Sequence, residues 1–98
     1  IGARAAVQPK AKMAPYCASK AAVITLTECL AAEYKMQNIN INCILPGTID
    51  TPQNREDMPD ANYSNWVPTT DLANEILHLC SVQAKGITGA AVPVYGKS

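Results

Sequence analysis

The chain has 98 residues, 48% of them hydrophobic, with eight basic and eight acidic side chains and no formal net charge. That length allows one modest core and at most one domain, and the charge balance gives no reason to expect nucleic acid as a partner. No apolar run approaches the ~20 residues that span a bilayer and Ile1 to Lys12 lack the charged-then-apolar order of a secretory signal, so the expectation is a globular cytoplasmic protein with no membrane partner.

Residues 1 to 7 read as the end of a strand entering a loop, and Gln8 to Met13, with Pro9 and two lysines, as that loop. Pro15 suits the first turn of a helix, where a missing N–H costs nothing. Helix is expected from Tyr16 to about Lys35, with Ala22, Leu26, Cys29 and Leu30 as its apolar stripe. Gln37 and Asn38 stop it. Ile39 to Leu45 is short, β-branched and ended by Pro46-Gly47, which predicts a buried strand and a tight turn. Residues 48 to 68 hold Pro52, Pro59 and Pro68 among Thr, Asp, Asn and Ser. They predict a long irregular segment, and loops of that length usually serve as lids or binding loops. Thr69 to Val82 predicts a second helix with Leu72, Ile76, Leu79 and Cys80 as its stripe, and Asp71 in its first turn suits the helix dipole. Ala90 to Tyr95 is a last strand, which Pro93 places at an edge or a bulge because it cannot donate to a ladder.

A helix running at once into a buried strand predicts an α/β fold with parallel pairing. Ligands of such sheets bind beyond the carboxyl ends of the strands, and Pro46-Gly47-Thr48 falls there. The cysteines Cys17, Cys29, Cys43 and Cys80 form no C-x-x-C pair and read as reduced, mostly buried side chains. His78 is the only histidine, so no metal site is expected. His78 itself reads as a packed or half-exposed helical side chain.

Chemistry concentrates in "MAPYCASKAAV", residues 13 to 23. Tyr16 and Lys20 stand four residues apart, so one helix face carries both heads. A free phenol, with a pKa near ~10, is a poor proton donor or acceptor at neutral pH. A neighbouring ammonium favours the phenolate, and a tyrosine tuned in this way can serve as general acid or base. Cys17, Ala18 and Ser19 are small enough to admit a flat ligand against the helix.

"PYCASKAAV" followed by "INCILPGTIDTP" and, at the end, "ITGAAVPVYG" closely resembles the second half of the short-chain dehydrogenase/reductase family. The match lies in Tyr16-x-x-x-Lys20, Asn42, Pro46-Gly47 and the Thr48/Thr51 loop, in that order. The resemblance implies the C-terminal part of a Rossmann-type doubly wound parallel sheet, residues 1–98 being the C-terminal half of one NAD(P)-binding domain. It implies an oxidoreductase using NAD(H) or NADP(H), with Tyr16 as proton donor or acceptor and Lys20 on the nicotinamide ribose. Pro46, Gly47, Thr48 and Ile49 would line the nicotinamide pocket, and Thr51 would approach the pyrophosphate. It further implies a small-molecule substrate and a homo-oligomer paired through the Tyr16 helix, with Leu26 and Leu30 packing on the partner.

Two departures stand out. The family usually has a serine thirteen residues before the tyrosine, and Ala3 stands there. None of the five glycines forms the phosphate-binding G-x-x-x-G-x-G loop, so the chain is expected to be part of a longer polypeptide. Dihydropteridine reductase is a branch that lacks the serine and has a similar G-A-x-A-A stretch and a similar loop over residues 50 to 66. A quinonoid pterin is already a strong acceptor and needs a proton more than a polarised carbonyl. In that reading Asp50 to Trp66 forms a lid, Ala3 and Asn54 border the substrate, and Trp66 and Tyr63 stack on a flat ring. Alternatively, Trp66 pins the loop to the core. Arg4 and Arg55 stand either near the ligand or in solvent. The competing function is a non-catalytic remnant or interaction module that needs the missing half.

Overall fold

The computed structural model describes residues 1–98. Pro15 lies in the first turn of α1 (Ala14–Tyr34), which therefore starts two residues ahead of the expected Tyr16. A further 3-10 turn, Lys35–Gln37, ends on Asn38 in the left-handed conformation, one of the few side chains that tolerates it. The stop signal at Gln37–Asn38 thus acts where expected.

The face that α1 buries is not the expected one. Cys17, Thr27 and Ala31 are buried, whereas Ala22, Leu26 and Cys29 are exposed. The helix carries alanines and aliphatic side chains all round, so spacing alone does not single out a side. Buried Thr27 is satisfied within the helix, its hydroxyl donating to the Val23 carbonyl at 2.8 Å.

β1 (Cys43–Pro46) and β2 (Ala91–Val94) form a parallel pair in the register Cys43↔Ala91 to Pro46↔Val94. β1 is shorter than the expected Ile39–Leu45. Asn40 and Asn42 reach their neighbours through side chains, while the Ile41 carbonyl accepts from the Gly89 N–H at 2.8 Å. Asn40 donates to the Lys85 carbonyl and Asn42 to that of Ile87, both at 2.9 Å, and the Asn42 side-chain oxygen accepts from the Ala90 N–H at 3.0 Å. Pro93 is exposed and opposite Leu45, and β2 is hydrogen-bonded to β1 alone, the edge setting its missing N–H requires. No strand forms at residues 1 to 7. Gly2 donates to the Ile44 carbonyl at 2.8 Å, and Arg4–Ala6 then turns as a 3-10 helix.

The irregular segment contains structure that composition hid. α2 (Pro52–Asp57) opens on Thr51, whose side chain accepts from the Asn54 N–H, and a 3-10 turn spans Tyr63–Asn65. α3 (Thr69–Leu79) stops short of Val82, which lies in a following 3-10 turn. Leu72 is buried and Leu79 half-buried, but Ile76, Cys80 and His78 are exposed. All four cysteines are free thiols, and only Cys17 and Cys43 are buried.

The core is Ile44, Val67 and Leu72, with Ile49, Leu79, Val92 and Val94 packed around it. It is small: 13 of 98 residues are buried. The Cα radius of gyration is 14.8 Å, above the ~13 Å of a compact domain of about this length. Leu26, Met36, Leu77 and Val82 remain exposed. No helix is long and apolar enough to cross a membrane.

Candidate active site

At the carboxyl end of β1 the chain is fixed from three sides. The Gly47 N–H donates to the Val94 carbonyl (3.0 Å) and the Thr48 N–H to Ser98 Oγ (3.1 Å). Val67 donates to the Thr48 carbonyl and accepts from the Asp50 N–H, both at 2.8 Å, forming an isolated parallel bridge with Ile49. The Asn54 side chain donates to the Ile49 carbonyl at 2.8 Å. Arg55 then grips Asp50 through two donors, at 2.7 and 2.9 Å. The hydrogen-bonded guanidinium holds the Asp50 carboxyl below the usual carboxylate range. The same bond raises Arg55 above its ordinary value.

Gly47 carries no side chain because there is no room for one. A Cβ there would run into Ser98 Oγ and come within 2.9 Å of the Tyr95 carbonyl oxygen. Gly2 is constrained similarly, its missing Cβ lying 2.6 Å from Leu45 Cδ2. That close approach sets the buried Ala3 beside the end of β1.

The first turn of α1 presents Tyr16, 46% exposed, over this loop. Lys20 stands one turn on, its Nζ 5.9 Å from the Tyr16 ring centroid and 3.4 Å from the Ile1 carbonyl to which it donates. A cleft of about 380 Å³ separates α1 from the loop. Ala3, Tyr16, Pro46, Gly47, Thr48, Ile49 and Asn54 all line it, so seven of the residues singled out from sequence converge. Arg4 lines it too.

Lys20, Thr51 and Trp66 do not line the cleft. Lys20 reaches it only through Tyr16. Thr51 Oγ1 accepts from the Asn54 N–H at 3.1 Å and starts α2. Trp66 is 8% exposed, its ring 4.8 Å from that of Tyr63 and tilted by 48°. Tyr63 in turn donates to the Pro59 carbonyl at 2.9 Å and lies 4.4 Å beneath the Arg55 guanidinium. Trp66 is thus buried against its own loop and outside the cleft, and Arg55 is engaged by Asp50. Met58, within the expected lid, lines the cleft, as do Gln8, Lys10 and Met13, which no sequence signal marked. Ser98, which holds Thr48, carried none either.

A family model described as enoyl-(acyl carrier protein) reductase matches residues 1–96. The L-xylulose reductase of Caenorhabditis elegans is 32% identical over 98% of this chain and 42% of its own length. Dehydrogenase/reductase SDR family member 6 of Danio rerio is 37% identical over 83% of this chain and 39% of its own. Among solved structures, 4-hydroxyisoleucine dehydrogenase complexed with NADH superimposes with a TM-score of 0.88 at 30% identity, covering 97% of this chain and 43% of that one. The 3-ketoacyl-(acyl-carrier-protein) reductase of Brucella melitensis complexed with NADH gives 0.81 at 31%, covering 97% and 40%. The chain belongs to the short-chain dehydrogenase/reductase family. Its fold class is that of the Rossmann-type dehydrogenases it superimposes on, and it spans about two fifths of the length of these relatives.

Proposed function

We propose that these residues form the C-terminal half of an NAD(P)-dependent oxidoreductase in which Tyr16 gives or takes the proton. One observation carries this reading: Tyr16, with the Lys20 ammonium beside its ring, faces a cleft floored by the fixed loop Pro46–Ile49. The donor set fits a nicotinamide dinucleotide. The loop is hydrogen-bonded from behind to Val94, Ser98 and Val67, and the absence of a side chain at Gly47 lets it lie close against Ser98 and Tyr95. Pro46, Gly47, Thr48 and Ile49 would hold the nicotinamide, the Thr48 hydroxyl its carboxamide and Lys20 its ribose. Thr51, whose O–H is still free to donate, would serve the pyrophosphate. When bound, the cofactor supplies or accepts the hydride. Two similar structures are NADH complexes, which supports the choice of cofactor.

Tyr16 moves the proton at its phenolic oxygen, and Lys20 supplies positive charge where negative charge develops. Ala3 puts a methyl group in the cleft wall where the family usually has a hydroxyl. That favours a substrate already activated as an acceptor, such as a quinonoid dihydropterin, which requires protonation more than carbonyl polarisation. The exposed Leu26 on α1 supports a homo-oligomer built through that helix.

The thin core supports a second reading, a remnant or interaction module that acts only with the missing half. Titration of NADH and NADPH, followed by nicotinamide fluorescence, separates the two. The complete protein binds at least one of them and the isolated 98 residues bind neither. Failure of the complete protein to bind either overturns the oxidoreductase reading.

A further inference from the structure

The hydroxyl of Ser98 occupies the space that a Gly47 side chain would need. It does two things at once. It donates to the Tyr95 carbonyl at 2.6 Å and accepts from the Thr48 N–H at 3.1 Å, using the one donor and a lone pair that a serine hydroxyl has. Thr48 is therefore gripped on both sides, by Ser98 at its N–H and by Val67 at its carbonyl. Ser98 is itself anchored. Its N–H donates to the Tyr95 carbonyl at 3.1 Å, and its carbonyl accepts from Arg4 Nη1. The Arg4 guanidinium lies 5.3 Å over the Tyr95 ring, a cation–π contact that fixes its direction. The neighbouring Lys97 N–H donates to the Asn65 carbonyl at 3.1 Å, tying the same stretch to the pinned Trp66 turn.

Arg4 follows Ala3 directly and lines the cleft with it. The wall of the cleft and its floor are thus joined by a clasp of residues 95 to 98. The contacts closing it span 94 residues from Arg4 and 50 from Thr48. We propose that Ser98 and Arg4 are positioning residues, clasping the Gly47–Thr48 loop in the orientation that receives the nicotinamide end of the dinucleotide. The proposal rests on reading residues 46–49 as the cofactor loop. Neither residue need touch the cofactor. Their effect passes through the Thr48 backbone.

The test uses the complete protein, with two readouts: NADH affinity by nicotinamide fluorescence, and amide hydrogen exchange resolved at Thr48 and at Cys43 to Leu45. Losing one hydrogen bond of this kind shifts an equilibrium by roughly 3- to 10-fold. Ser98→Ala is therefore expected to weaken NADH binding by about that factor. It should speed exchange at Thr48 and leave the amides of Cys43 to Leu45 unchanged. Ser98→Thr keeps the hydroxyl and returns both readouts toward wild type. Arg4→Met, which removes the anchor and not the hydroxyl, acts in the same direction and tests the clasp even if Ser98→Ala folds poorly. Wild-type NADH affinity in both Ser98→Ala and Arg4→Met overturns the proposal. So does faster exchange spread through Cys43 to Leu45, which would make the contacts merely structural. If the unaltered protein binds neither NADH nor NADPH, the oxidoreductase reading itself falls, and with it any role for the clasp in holding a cofactor.

Discussion

Gly47→Ala is the most informative single methyl group to add. Gly47 does not sit at a positive φ, so its requirement is space and not backbone conformation. The new Cβ would stand 2.9 Å from the Tyr95 carbonyl oxygen and 3.1 Å from Tyr95 Cα, against about 3.5 Å for comfortable non-bonded contact. The shortfall is roughly half an ångström. Ser98 can rotate its hydroxyl aside, at the expense of the Thr48 hydrogen bond. Tyr95 cannot follow, because the obstructing atoms are backbone one residue beyond β2. The adjacent ladder pairs Leu45↔Pro93 and Pro46↔Val94 hold that backbone in register. Relief therefore has to come from the Gly47 N–H to Val94 bond. Overpacking of this sort costs about 1–3 kcal/mol. At an m-value of about 2 kcal/mol/M in urea, the midpoint should fall by about 0.5–1.5 M.

Urea unfolding followed by far-ultraviolet circular dichroism measures this, and Gly86→Ala provides the control. No atom lies within 4 Å of a Cβ placed at Gly86, and its φ is not positive. That substitution removes freedom from the unfolded chain only and should stabilise by about 0.4–1 kcal/mol. A Gly47→Ala midpoint equal to that of Gly86→Ala would refute the claim that the loop is sterically closed against β2.

In the complete protein Tyr16→Phe should cut turnover by about 10²- to 10⁴-fold with NADH affinity within a factor of two, measured by absorbance at the nicotinamide band and by fluorescence titration; normal turnover would remove Tyr16 from proton transfer. Lys20→Ala should weaken NADH binding and slow turnover together, since in the proposed site it serves both the ribose and the phenol. Asp50, with its pKa lowered chiefly by the Arg55 hydrogen bond, contributes stability that is fully present above the ordinary aspartate value of 3.8 and is lost as pH falls through the lower folded value. Asp50→Asn should therefore flatten the acid limb of the stability curve below that value and leave the curve unchanged in shape between pH 5 and 8. The effect will be small because the pair is solvent-accessible, and an identical acid limb in both proteins would argue that the ion pair does not persist in solution. Leu26, 58% exposed on α1, should support subunit pairing, so Leu26→Glu should lower the mass measured by light scattering; an unchanged oligomer would move the interface elsewhere.

What could be read from the sequence was what the chain encodes over a few residues. Tyr16 and Lys20 share a helix face because they are four apart, and the helix followed from Pro15 and the helical spacing of Ala22, Leu26, Cys29 and Leu30. Pro46-Gly47 announced the end of a strand, and the pairing with the last strand followed from the α/β alternation. The buried face of α1 was not legible, since Leu26 and Cys29 are as apolar as Cys17 and Ala31 and only the packing partner chooses between them. α2 has a local signal, since Thr51-Pro52 supplies a capping hydroxyl and a first-turn proline, but Pro59 and Pro68 beyond it give the whole segment the composition of a loop.

The clasp behind the cleft was not legible for a different reason. Ser98 is an ordinary residue in ordinary local sequence and Arg4 was open to two readings, because what joins them lies in contacts with Thr48 and with each other across most of the chain. Only Gly47 hinted at them. A glycine that does not adopt a positive φ implies something pressed against it, and the sequence cannot say what. The structure answers with the Ser98 hydroxyl and the Tyr95 backbone. The proton-moving pair can be written in one turn of helix. The cleft it faces draws on residues 3–5, 46–49 and Asn54, with residues 95–98 holding its floor from behind, all brought to one place by the parallel pairing of β1 with β2.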